Sequence, residues 1–160
     1  LGALVESCPE SAEVPSKDGE TPIMISFRRA ILQAGGSSSS ATSFPSEREV
    51  SILAESTGEA LLTEDSKLDG QILLHQAVRR GAPLGILKLL VDACPASASV
   101  PSKDGTGHNA LMMSFARGRD DAIFPSADEV HLLASAAGGE AALVTDADGK
   151  ICLHRAVEDG

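Results

Sequence analysis

Asp69-Gly70-Gln71-Ile72-Leu73-Leu74-His75-Gln76-Ala77-Val78-Arg79-Arg80-Gly81 decides the fold of this chain, because most of the remaining sequence consists of its variants. An apolar run over 86–91 and the pair Cys94-Pro95 follow it. Glycine tolerates the positive dihedral of a tight turn, and Gly81 interrupts the apolar pattern before Pro83 opens a second one. The pattern therefore predicts two short helices, over 73–80 and 83–93, joined near Gly81.

Working outward, the same pieces return at long intervals. Leu4-Val5-Glu6-Ser7-Cys8-Pro9 recurs as Leu90-Val91-Asp92-Ala93-Cys94-Pro95, and Val14-Pro15-Ser16-Lys17-Asp18-Gly19 as Val100-Pro101-Ser102-Lys103-Asp104-Gly105. Phe44-Pro45-Ser46 with Glu49-Val50 recurs as Phe124-Pro125-Ser126 with Glu129-Val130, and Leu74-His75 with Ala77-Val78 as Leu153-His154 with Ala156-Val157. A shorter period is marked by Asp-Gly pairs at 18–19, 69–70, 104–105 and 148–149. Fixed internal periods mean stacked units, so a single all-α helical-repeat solenoid of about four units is predicted. Its divisions are a partial unit 1–17, units 18–68, 69–103 and 104–147, and a partial unit 148–160.

Local signals place the helices. Thr21-Pro22 offers an N-cap followed by proline at the first helical position, with a helix expected through Arg29. Gly35-Gly36 and the serines 37–40 then predict a loop, whose Ser37–Ser40 run with Thr42 and Ser43 offers hydroxyls for phosphorylation if it is more than a spacer. Ser46 with Glu49 and Ser126 with Glu129 each read as a capping box ahead of an apolar stripe: Val50, Leu53 and Ala54 in one case, Val130, Leu133 and Ala134 in the other. Two inserted residues precede Asn109-Ala110-Leu111-Met112, so the turn before it departs from its counterparts.

These residues resemble the ankyrin repeat, whose signature runs through a turn glycine, Thr-Pro-Leu-His, small residues, a second glycine and a Val/Leu-rich second helix. Gly70 with Leu74-His75, Ala77 and Gly81 carries the resemblance most fully, and Gly149 with Leu153-His154, Ala156 and Gly160 is similar. Thr21-Pro22 keeps the first half of the signature, with Met24 at the histidine position and Ser26 at the alanine position. The resemblance implies a structural role for His75 and His154, bonded to a neighbouring turn. It also implies an exposed, concave place for the residues that end each first helix. Another paired-helix array, HEAT-like, is the alternative architecture.

Composition restricts function. The formal charge of −10 opposes a mainly electrostatic grip on nucleic acid or anionic lipid, and no apolar run approaches a bilayer-spanning length. Cys8, Cys94 and Cys152 form no CxxC pair, which points to no disulfide framework and no zinc ribbon, and to an intracellular setting, cytoplasmic or nuclear. Leu at position 1 suggests a fragment.

No nucleophile elbow, phosphate-cradling loop or HExxH is present, so no catalytic, metal or cofactor residue is assigned. A hydrolase built on His75 would need a partner base or nucleophile that the spacing does not supply. His108 and His131 have no repeated counterpart, and Cys8 and Cys94 share one packing position at a helix end. Arg28, Arg29, Arg79, Arg80 and Arg117 fall at the ends of successive first helices, where they would form a basic stripe on an acidic body. Cations also favour helix C-termini without any partner.

The expected role is a non-catalytic scaffold that binds a protein or acidic peptide through the concave helix face and the loops 31–43 and 118–124. A regulatory or targeting segment of a larger enzyme, of kinase or ubiquitin ligase type, is the alternative. Incomplete terminal units, with Leu4 and Val5 at one end and Ile151 and Leu153 at the other, predict self-association through uncapped ends.

Overall fold

A computed structural model describes residues 7–34, 44–64, 70–121 and 124–159. Seven α-helices have both ends among the described residues: α1 (Pro22–Ala34), α2 (Glu47–Thr57), α3 (Leu73–Arg79), α4 (Leu84–Ala93), α5 (Ala110–Asp121), α6 (Ala127–Ser135) and α7 (Cys152–Asp159). Short 3-10 turns at Pro9–Ala12, Gly58–Leu62, Pro95–Ser99 and Ala136–Ala142 accompany them, and an antiparallel bridge joins Thr145 to Ile151. The chain is all-helical, as its period predicts.

Helices α1 and α5 run longer than their sequence signals indicate. The first continues past Arg29 to Ala34, and the other reaches Asp121, so only 35–43 and 122–124 of the two predicted loops remain, and of these all but Phe124 lie outside the described residues. The serine run 37–40, Thr42, Ser43, Leu4, Val5, Asp69 and Gly160 lie outside them as well. Pro83 precedes α4 as its N-cap, with φ −54° and ψ 145°, rather than occupying the first turn. Extended ψ at a cap lets the chain enter the helix without a steric clash from the ring.

The serine caps form as expected, with Ser46 accepting from the backbone N–H of Glu49 and Ser126 from that of Glu129. The two glutamates, however, turn to the preceding helix. Glu49 Oε1 accepts from Ser26 Oγ at 2.7 Å, and both carboxylate oxygens of Glu129 accept from Arg117 at 3.1 Å. In the compact unit Ile86 takes the aligned position and is buried. That position faces the core, and an acidic residue can occupy it only with a donor on the neighbouring helix. Removing the cap in Ser126→Ala should cost about 1 kcal/mol, read as a lower urea midpoint at unchanged slope.

Packing follows the order of the repeats. Helices α3, α5 and α7 contact one another in sequence, and so do α2, α4 and α6, while α1 rests on α2. One apolar cluster joins them, in which Leu53, Leu90 and Leu133 hold equivalent places in successive second helices. Ala77 and Ser114 are fully buried at the small-residue positions of α3 and α5, where any larger side chain would push the helices apart.

Three of the described turns between units are closed by a backbone hydrogen bond. Ser16 N–H donates to Glu20 O at 2.8 Å, Ser102 N–H to His108 O at 2.9 Å and Asp146 N–H to Lys150 O at 2.9 Å. The insertion in the third unit enlarges its turn by two residues without opening it. The internal acceptor moves with the insertion: Ser16 Oγ and Asp146 Oδ1 each take two backbone N–H groups, but at the enlarged turn Asp104 Oδ1 takes the N–H and hydroxyl of Thr106 and the hydroxyl of Ser102. Those bonds hold Asp104 down to about 2 against the opposing effect of burial. Gly107, at φ +68°, lies so close to the next turn that a Cβ would meet Ala147 N at 3.0 Å.

Candidate partner-binding surface

The arginines at the ends of the first helices divide into three environments. Arg79 and Arg80 close α3 and are exposed, as is Arg29 on α1. Arg28 is half-exposed and pairs with the buried carboxylate of Glu20, which lies in the turn that opens its own unit. Arg117 corrects the expectation of a continuous exposed stripe, because it is buried. Its Nη1 donates to Val78 O at 2.5 Å and its Nη2 forks onto Glu129, so one guanidinium joins α3, α5 and α6. There its flexible charged side chain meets both a carbonyl at the end of α3 and the carboxylate of Glu129.

The histidines are equally instructive. His75 is fully buried, and its Nε2 bonds Val100 O at 2.9 Å, in the segment that leads into the next turn. Burial dominates its titration and pulls it down to about 4, with the Val100 bond and the Asp104 charge opposing. Neutral and enclosed, it has the surroundings of a tie between units. His154, at the same position of the last unit, is exposed, with Nδ1 accepting from Ile151 N–H at 3.2 Å. Met24 and Met112 occupy the position in the other two units. In the third unit Asn109 does the joining, with Nδ2 donating to Ala141 O at 2.6 Å and Oδ1 capping α5 through Met112 N–H.

No protein-family model matches the chain, and no curated protein or solved structure matches it either. Its chemistry is therefore read from the residues themselves. Cys94 is buried and Cys8 exposed; Cys152 is half-buried and donates to Ala142 O, and burial raises its thiol above the usual range. Among the described residues no three His, Cys, Asp or Glu side chains converge on a metal-sized site.

The sequence reading passed over Glu20 and gave Glu129 only a capping role. Glu20 and Glu129 are both buried carboxylates that hold arginines, and the aligned Ile86 was the available signal that the Glu129 position faces inward. A third acid, Asp146, is also enclosed. Burial alone would raise its pKa, but the N–H groups of Lys150 and Asp148 and the guanidinium of Arg155 hold it below the usual carboxylate range. A shallow depression between α4 and α6, with Leu84, Lys88, Asp128, His131, Leu132 and Ser135 around it, lies on the second-helix layer away from the arginines.

Proposed function

We propose that this chain is an ankyrin-like array of helix-turn-helix units that acts as a non-catalytic protein-interaction scaffold, with Arg79 and Arg80 at the centre of its binding surface. The observation that carries the reading is their exposure at the end of α3, while the aligned Arg117 is consumed inside the fold. The order in which α3, α5 and α7 pack supports a face made of successive first helices. On a chain of net charge −10, two adjacent exposed guanidiniums favour a carboxylate-rich protein segment, which they can hold by forked hydrogen bonds. Buried acids and histidine are already engaged with neighbours in the same fold, which is the pattern of structural ties rather than of a reacting centre.

Affinity capture tests the surface. Arg79→Glu/Arg80→Glu should weaken binding of a Glu-rich partner by about 1–3 kcal/mol, mostly through a slower association that depends on salt. Arg48→Glu/Lys88→Glu, at two exposed positions on α2 and α4, changes the net charge equally and serves as the control. Equal capture by all three proteins would remove the arginines from the binding surface.

A further inference from the structure

Arg79 and Arg80 are exposed, and neither pairs with a carboxylate among the described residues. One turn before them on α3 lies Gln76. Residues three and four apart share a helix face, and helical side chains lean toward the N-terminus, so both arginines extend over the turn that holds Gln76. Gln76 is only 7% exposed, and its Nε2 is enclosed without a hydrogen-bond partner. An enclosed donor left unpaired costs stability, and here the folded chain supplies no acceptor for it.

Thr21 Oγ1, ahead of α1, and His75 Nδ1 are also enclosed without partners. His75 uses Nε2 to reach the Val100 carbonyl, which leaves Nδ1 a lone pair and no proton. Of the two unpaired atoms on α3, only the Gln76 amide can donate to an anion.

The next unit shows the same position in a different setting. Met113 and Arg117 align with Gln76 and Arg80. There the arginine is engaged inside the fold, on Val78 O and Glu129, and the residue one turn earlier is a buried methionine with nothing to donate. In the compact unit the arginines are unpaired, and the position beneath them carries an unpaired donor. Two guanidiniums and an amide N–H2 thus share one helix face with no anionic acceptor among them.

We propose that Gln76 belongs to the partner-binding site and donates through Nε2 to a carboxylate held between Arg79 and Arg80. This rests on the reading of those arginines as a binding surface and adds the group that orients the ligand. In the complex the long arginine side chains swing onto the carboxylate in forked hydrogen bonds and admit it to the amide beneath them.

Fluorescence anisotropy on the 160-residue chain tests the assignment with hexapeptides that carry a neutral dye at the N-terminus. Hexaglutamate with an amidated C-terminus offers only side-chain carboxylates, and hexaglutamine with a free C-terminus offers only the terminal one. Binding of the first assigns the carboxylate to a partner's side chains, and binding of the second to its chain terminus. Gln76→Met, which installs the residue of the next unit, should weaken the bound peptide about tenfold, the effect of losing a hydrogen bond to a charged acceptor. Its urea midpoint should hold or rise, because an unpaired donor has gone. The tenfold ratio should persist as salt is raised, since the amide is neutral, whereas the loss in Arg79→Glu/Arg80→Glu should shrink. If Gln76→Met binds like wild type while the arginine variant loses the peptide, the role of Gln76 is overturned and the arginine surface stands. Equal binding by all three proteins would overturn both. A lower urea midpoint with unchanged affinity would make Gln76 a packing residue and overturn its role in binding. A wild type that takes neither peptide would overturn the assignment as well, and the capture experiment then judges the arginines alone.

Discussion

Arg117→Ala is expected to destabilise the fold by about 3–5 kcal/mol, because it leaves the carboxylate of Glu129 enclosed without a counter-charge. The Val78 carbonyl also loses the donor that reaches it from α5. A loss of that size is a large share of the stability of any domain this small, so the urea midpoint and thermal midpoint should both fall sharply. Arg117→Leu/Glu129→Leu separates the cause. If the penalty comes from an orphaned charge, replacing both partners recovers most of it, since apolar groups need no counter-ion. A single variant within about 0.5 kcal/mol of wild type would show that water reaches Glu129 and that the pair is a surface contact.

Acid should weaken the array before its carboxylates titrate. In the folded chain His75 titrates at about 4 against 6.5 for the free side chain, so the unfolded chain binds a proton first as pH falls. Its stabilising contribution is complete above 6.5 and is lost as pH falls from there through 4, a change of about 3 kcal/mol overall and about 2 kcal/mol by pH 5. Asp104 also loses a contribution on acidification, but only below its ordinary 3.8 and toward its folded value of about 2. Comparing urea midpoints at pH 7 and pH 5 therefore separates the histidine from Asp104. His75→Gln, which lacks the titration, should be less stable at pH 7 and show a much smaller difference between the two pH values. An equal difference in both proteins would assign the acid sensitivity to other groups.

Much of the architecture was legible because it rests on local rules repeated along the chain. Ser46 and Ser126 cap helices through the N–H three residues on, a contact that depends on backbone geometry alone. The stripes Val50, Leu53, Ala54 and Val130, Leu133, Ala134 point where helical period sends them. Helix ends were less legible. Residues 31–34 and 118–121 continue α1 and α5 although Gly118 lies among them, since two bonded turns already support each extension.

The basic surface was legible only in part, and the reason lies in side-chain reach. Arg29, Arg80 and Arg117 occupy one position in three units, yet only the last meets both a carbonyl at a helix end and a buried carboxylate. Nothing in the arginine's own neighbourhood separates it from the others, because Glu129 is 12 residues away and Val78 39.

By itself the sequence determined an all-helical chain with repeating units, its capped helices, its glycine turns and the equivalence of positions between units. These follow from contacts within a few residues of each other. Only the tertiary structure decided which equivalent residues are enclosed: His75 tied to Val100 while His154 is exposed, and Arg117 held inside while Arg79 and Arg80 face water. Burial depends on what stacks against a unit, and that neighbour is set by distant parts of the chain.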